Sequence, residues 1–291
     1  MNYDPKNFTW GYEMEYGDID RRLVIPDHLG KWEHAETDIV NLNPPYRGLA
    51  CDPLGIDPPV GGEINTKPTN TWQEQVDRIF QILKLFEDHG NTPTASCVNH
   101  GHLHVFVPGL KDDIDALKRL TKYIFNNQHT IIDACYQFRI HSDMSMTKTA
   151  KTYLKWDGGR PMPDYMCGNI INKANNFDDF INLHAAGKNG VSMGRPFRHG
   201  INTYCMKHTG TIEFRCFRAS TDRKEIEDSF KFALAVIDAA LNDGPDAIEI
   251  LLEGDFRFPK FEYDHQMYLA WEKTKYDKSR GEKVREFYAV T

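Results

Sequence analysis

Three short stretches of the chain set imidazoles, carboxylates or a guanidinium two residues apart. Gly101-His102-Leu103-His104-Val105 carries a His-x-His pair, Tyr12-Glu13-Met14-Glu15-Tyr16 a Glu-x-Glu pair, and Thr211-Ile212-Glu213-Phe214-Arg215 a Glu-x-Arg pair. A fourth stretch, Gly62-Glu63-Ile64, adds one more acid. Side chains alternate faces along a β-strand, so each pair shares a face, with the apolar residues between them on the other. Two imidazoles on one strand face can take a metal or a phosphate; one ligand beside one hydrogen-bonded core histidine fits the same pattern. Two glutamates side by side repel unless a cation or solvent separates them. A solvated edge strand is the plain alternative for residues 8–16. Glu213 stands out because no other glutamate occurs between Glu87 and it.

If these strands are neighbours in one sheet, Glu13, Glu15, Glu63, His102 and Glu213 crowd a single face. That many carboxylates do not stay ionised together without cations, and an oxygen-rich site with one imidazole suits Mg²⁺ or Mn²⁺. Arg215, with Arg195 or Arg198 from the segment before Ile201, presents planar donor forks that suit phosphate oxygens. Metal plus arginine is what phosphoryl transfer requires: positioning and charge neutralisation rather than covalent help. Arg218 falls by alternation on the strand face opposite Arg215 and reads as a surface or supporting residue. Lys151, Lys155 and Arg160, around Gly158-Gly159, read as a lid or as an ordinary solvated loop, the second being the norm for loop charge.

The elements that must position these groups are legible in the pattern around them. Residues 8–16 alternate as a strand, and 61–68 read as a brief one. Residues 26–61 are rich in Pro, Gly, Asn and Asp, which predicts irregular chain or short hairpins, with a short strand over 49–52 ending in Asp52. Thr71-Trp72-Gln73-Glu74 is a capping box, followed by Val76, Ile79, Phe80, Leu83 and Phe86 at helical spacing and by Gly90 as a stop. A second helix runs from Leu110 to about Asn127, and 131–141 continue as helix or strand. The region 142–200 is the least regular, with a short helix over 177–186. Gly210 marks a turn between Tyr204-Cys205-Met206 and the Glu213 strand, hence a hairpin in which Thr211, Glu213, Arg215 and Phe217 share a face. Asp222-Arg223-Lys224-Glu225 caps a third strong helix with Ile226, Phe230, Ala233, Ile237 and Leu241 inward. Residues 245–253 and 262–289 read as further helices. The expected fold is α+β: a mostly antiparallel, curved sheet backed by helices, one domain over 1–291 whose part from about 222 onward is helical.

Composition narrows the function classes. The 291 residues hold 35 Lys plus Arg against 42 Asp plus Glu, a formal net charge of −7. That balance argues against a protein whose main business is coating a nucleic-acid backbone. No apolar run of about 18 residues occurs, so no membrane span is expected. Met1–Pro5 are polar and lead into no apolar stretch, so no signal peptide is expected. The 6 cysteines are scattered without a C-x-x-C pair, which reads as reduced thiols in a cytoplasmic protein.

The order of motifs resembles the glutamine-synthetase-like carboxylate–amine ligases, and most closely the amidoligase family. The residues that carry the resemblance are Gly11-Tyr12-Glu13-Met14-Glu15, Asp52, Gly62-Glu63, His100 through His104, Arg198 through Asn202, and Thr211 through Arg215. Each motif is weak alone; their joint order is the signal. One departure is Tyr12, where the family usually has Val or Ile. The resemblance implies a glutamine-synthetase-like catalytic fold with Glu13, Glu15, Glu63, His102 and Glu213 holding two or more divalent metals. It implies ATP phosphates or a phosphorylated intermediate at His104, Arg195, Arg198 and Arg215, and Asp52 assisting deprotonation of an incoming ammonium. ATP would phosphorylate a substrate carboxylate and an amine would attack the acyl phosphate. The carboxylate and amine range from small molecules and peptides to a modified base, and ligases of this fold often assemble as homo-oligomeric rings. Alternatives are an ATP:guanidino phosphotransferase on the same core and a non-catalytic structural protein retaining the fold. A zinc or iron His-pair site of cupin type fits poorly, because the next glutamate after the histidines is Glu213.

Overall fold

The computed structural model describes residues 3–16, 19, 23–32, 62–93, 95, 101–135, 138–139, 161–186, 199–254, 256–258 and 261–262. Within them the chain runs β1 (Thr9–Tyr16), β2 (Gly30–Trp32), β3 (Gly62–Thr66), α1 (Trp72–Asp88), β4 (Gly101–Phe106), α2 (Ile114–Cys135), β5 (Phe138–Arg139), α3 (Asp164–Lys173), α4 (Phe177–Ala185), β6 (Ile201–Asn202), β7 (Ile212–Phe214), α5 (Arg223–Leu241), α6 (Ala247–Glu253) and β8 (Phe261–Glu262). Six strands form one antiparallel sheet in the order β2-β3-β1-β4-β7-β6. β5 and β8 pair in parallel as a separate two-stranded unit. The α+β class is as the sequence predicts. β1 lies between β3 and β4, so the solvated-edge alternative for residues 8–16 does not hold.

Strict alternation builds the inner face. Along β1, Trp10, Tyr12, Met14 and Tyr16 are buried while Thr9, Gly11, Glu13 and Glu15 are partly exposed. Leu103, Val105, Ile64, Ile212 and Phe214 continue the buried face on the neighbouring strands. Each such side chain contributes about 1.5–3 kcal/mol on leaving water. Helices α1 and α5 cover this face, with Phe230 of α5 set against both Trp10 and Tyr12 at ring-centroid distances of 5.8 Å.

Local chemistry fixes where the helices start. Thr71 Oγ1 accepts from the Glu74 N–H at 3.2 Å, and Asp222 accepts from the N–H groups of Lys224 and Glu225 at 2.8 and 3.3 Å. Each such cap is worth about 1 kcal/mol. The fully buried Gln75 of α1 hydrogen-bonds the hydroxyls of Thr66 and Thr69, pinning the helix to the end of β3. There the Thr66 hydroxyl replaces a ladder rung: it accepts from the Tyr12 N–H at 2.9 Å and donates to the Tyr12 carbonyl at 2.8 Å.

Gly101 is where two backbones and a ring converge. A Cβ there would lie 1.8 Å from the Tyr12 hydroxyl oxygen, so only glycine fits beneath that ring. Tyr12 is therefore matched by a glycine on the next strand.

Of the helix and strand left open for 131–141, the structure takes the helix over 131–135, which continue α2 with Ile131, Ile132 and Cys135 buried along it. The structure departs from the sequence expectations in three places. A helix over Asp164–Lys173, α3, was not expected; it starts after Pro161 and Pro163 and carries Gly168, which blurs its signal. Tyr204-Cys205-Met206 form a 3₁₀ turn (Thr203–Lys207) rather than a strand, because the Asn202 side chain caps it by accepting from the Tyr204 N–H. Beyond β7 the N–H groups of Arg215 and Cys216 both donate to the Gly200 carbonyl, at 2.8 and 3.0 Å, which is a β-bulge. The bulge shifts the alternation, so Phe217 turns into the core and stacks on Phe214 instead of sharing a face with Glu213. Arg218 is correspondingly buried, not a surface residue. Apart from Glu262 in β8, the helix expected over 262–289 lies outside the described residues. Among the described residues no helix is long and apolar enough to cross a membrane, and the described cysteines Cys135, Cys167, Cys205 and Cys216 are free thiols.

Candidate metal centre

Strand register brings the separate motifs together. Glu13 of β1 faces His102 of β4 on one side and Asn65 of β3 on the other. His104 pairs with Gly11 on one side and Glu213 on the other, and Glu213 in turn pairs with Asn202. Glu15 stands directly opposite Glu63. Pairing partners share a face, so all five expected metal ligands (Glu13, Glu15, Glu63, His102, Glu213) lie on the sheet surface turned away from α1 and α5, together with His104.

Hydrogen bonds knit the centre of this surface. Glu13 bridges both imidazoles: its Oε2 meets His102 Nδ1 at 2.7 Å and its Oε1 meets His104 Nε2 at 2.9 Å. His104 Nδ1 lies 2.9 Å from Thr211 Oγ1, which is 2.6 Å from Thr209 Oγ1, and Cys205 Sγ follows at 3.2 Å. Glu213 accepts from the Arg215 guanidinium through Oε1 and from Asn202 Nδ2 at 2.7 Å through Oε2. His102 Nδ1 is 3.9 Å from Glu213 Oε1, so the two carboxylate groups flank one histidine.

The electrostatics follow from burial opposed by these partners. Burial would raise the Glu13 carboxyl, but hydrogen bonds and charge from His102 and His104 hold it well below the usual carboxylate range. Burial likewise opposes ionisation of Glu213, and the charge of Arg215 prevails to keep its carboxyl low. His104 is pushed up to about 10 despite its burial, by the nearby Cys205 side chain, by its hydrogen bond to Glu13 and by the charges of Glu13 and Glu213. His102 moves the other way, because burial and the nearby Arg215 charge outweigh Glu13. Within the chain, imidazolium at His104 and guanidinium at Arg215 offset the charge of these acids.

Three of these residues have ligand atoms close enough to share an ion. One atom each from Glu13, His104 and Glu213 lies within 4.8 Å of the others. Two ligands of one Mg²⁺ lie at most about 4.2 Å apart, twice the metal–oxygen distance, so the three side chains need a small closure to share such an ion. The donors are two carboxylates and an imidazole, which suits the expected metals. Binding through His104 Nε2 requires that nitrogen to give up its proton, so uptake of metal and release of a proton are coupled. The expectation set His102 among the ligands and His104 at the phosphates; in the structure both imidazoles contact Glu13, and His104 is the one grouped with Glu13 and Glu213.

Arg215 lies in this network, paired with Glu213. Asp52, Arg195 and Arg198, and the lid candidates Lys151, Lys155 and Arg160, lie outside the described residues. Sequence reasoning missed the part played by Asn202, which faces Glu213 from a strand only two residues long, too short for alternation to reveal a face. It also missed Thr211 as the partner of His104, although the shared strand face of Thr211 and Glu213 carried that signal. No protein-family model matches the chain, and no curated protein matches it.

Proposed function

We propose that the chain is an ATP-dependent carboxylate–amine ligase, built on a glutamine-synthetase-like sheet, whose acidic face holds divalent metal. The observation that carries this reading is the register: four strands set Glu13, Glu15, Glu63, His102, His104 and Glu213 on one surface, with Arg215 beside them. Glu13, His104 and Glu213 would hold one Mg²⁺ or Mn²⁺, with Glu15 and Glu63 alongside. Such an ion, when bound, neutralises phosphate oxygens and polarises them. Arg215 turns its fork from Glu213 to the γ-phosphate or to the phosphorylated intermediate. A substrate carboxylate oxygen then bonds to the γ-phosphorus as the bond to the β–γ bridging oxygen breaks, releasing ADP. An amine nitrogen attacks the acyl carbon, the carbon–oxygen bond to phosphate breaks, and the amine proton is lost. Phosphorylation supplies the leaving group that a carboxylate lacks at neutral pH, and the protein supplies positioning and charge.

Thermal unfolding tests this without knowledge of the substrate. A ligand that binds only the folded state at about 100 times its Kd adds about 2.7 kcal/mol, several degrees in Tm. The expected result is a rise that needs ATP and Mg²⁺ together and disappears in Glu213→Ala. A rise retained in that variant, or none in the wild type, removes the reading. Trapping a hydroxamate with hydroxylamine then separates the ligase from an ATP:guanidino phosphotransferase, which forms no acyl phosphate.

A further inference from the structure

Glu213 is held at both oxygens, by one donor two residues further along its own stretch of chain and one from β6. Oε1 takes the Arg215 guanidinium and Oε2 takes Asn202 Nδ2 at 2.7 Å. The two donors differ in kind. Arg215 is a buried cation whose charge competes with any metal for Glu213. Asn202 is neutral and buried, so it orients the carboxylate without cancelling the charge that a metal needs.

The Asn202 amide is itself fixed. Its Oδ1 accepts from the Tyr204 N–H at 3.2 Å, leaving Nδ2 to face Glu213. The next residue, Thr203, is fully buried with its hydroxyl 3.1 Å from His184 Nε2, which fastens this edge of the sheet to α4.

From this geometry we infer that Asn202 is the positioning residue of the metal centre, setting the plane of Glu213 so that its open lone pairs face the ion. The inference rests on the metal-centre reading above and deepens it. Partners that orient a ligating side chain typically cost roughly 10–100-fold in metal affinity when removed.

Asn202 also caps the Thr203–Lys207 turn, and the test separates the two roles. Threonine and serine keep an N-cap oxygen but have no amide to reach Glu213, whereas alanine loses both. Mn²⁺ alone is titrated into the full-length chain and followed by electron paramagnetic resonance, for wild type, N202T, N202S, N202A and E213Q. Tm in EDTA is measured alongside. The expected result is that N202T and N202S unfold near the wild-type midpoint yet bind Mn²⁺ roughly 10–100-fold more weakly, as N202A does. Wild-type Mn²⁺ affinity in N202T and N202S, with E213Q impaired, overturns the role of Asn202 and leaves the metal centre standing. Wild-type affinity in E213Q removes the metal centre itself and this inference with it. Should one cap-retaining variant unfold, the other carries the comparison.

Discussion

Acid should loosen the edge of the sheet that carries Asn202 and Glu213, through one buried histidine. His184, at the end of α4, is 1 % exposed, with its ring edge-on to Phe180 at 4.6 Å and its Nε2 on the Thr203 hydroxyl. The titratable groups that face it are His199 and Tyr204, at ring-centroid distances of 6.1 and 6.3 Å. Burial, with a smaller contribution from His199, lowers His184 from 6.5 to about 3. The folded chain therefore refuses a proton that the unfolded chain accepts. Stability from this group is complete above pH 6.5 and falls as pH drops below it, levelling near pH 3. Linkage gives a loss of about 2–3 kcal/mol at pH 4.5 and almost none at pH 7.0. The perturbation is His184→Gln, which cannot titrate. Urea unfolding of wild type and variant at the two pH values cancels the contribution of every other carboxylate and histidine that both share. The wild type should lose about 2–3 kcal/mol more than the variant on acidification. A wild-type-minus-variant difference that stays constant between pH 7.0 and 4.5 refutes the reasoning.

Two further outcomes follow from other sites. Gly101→Ala places a methyl 1.8 Å from the Tyr12 hydroxyl and 2.6 Å from its ring, which is held against Phe230; overpacking of this kind costs about 1–3 kcal/mol. Tyr12→Val should recover part of that loss in the double variant, and strict additivity in urea unfolding would count against the steric account. In metal-free protein, imidazole NMR should find His104 titrating near 10, and Glu13→Gln should bring it down toward 6.5 by removing a hydrogen bond and a charge. An unchanged His104 titration would show that Glu13 is not its partner.

What the sequence discloses about the site follows from the range of the signal. The alternation over 9–16 and the capping residues Thr71 and Asp222 act within a few positions, and the structure keeps them where the pattern puts them. The faces of Glu13, Glu15, His102 and His104 follow from the same two-residue period. Pairing register is a different kind of information: that Glu13 lies across from His102, and His104 across from Glu213, is decided by packing of whole strands. The bulge at Arg215-Cys216 shows the limit. Nothing local marks it, because it arises where two N–H groups share one carbonyl of a neighbouring strand, and it carries Phe217 to the opposite face from the one alternation gives. Asn202 escaped for a related reason, since its role depends on facing Glu213 and on a 3₁₀ turn that replaces an expected strand. Asp52, Arg195 and Arg198 lie outside the described residues, and their roles rest on the resemblance alone.

The central contacts join residues far apart in the chain: Glu13 reaches His102 across 89 positions and His104 across 91, and Thr211 reaches His104 across 107. The ladder fixes these distances in space, and chain length between the strands does not enter them. Lengthening a flexible connection costs only about 0.6 kcal/mol per doubling, so a longer turn would weaken the acidic rows little; β2, α3 and α4, which lie in the intervals between these strands, are by contrast part of what holds the rows in place.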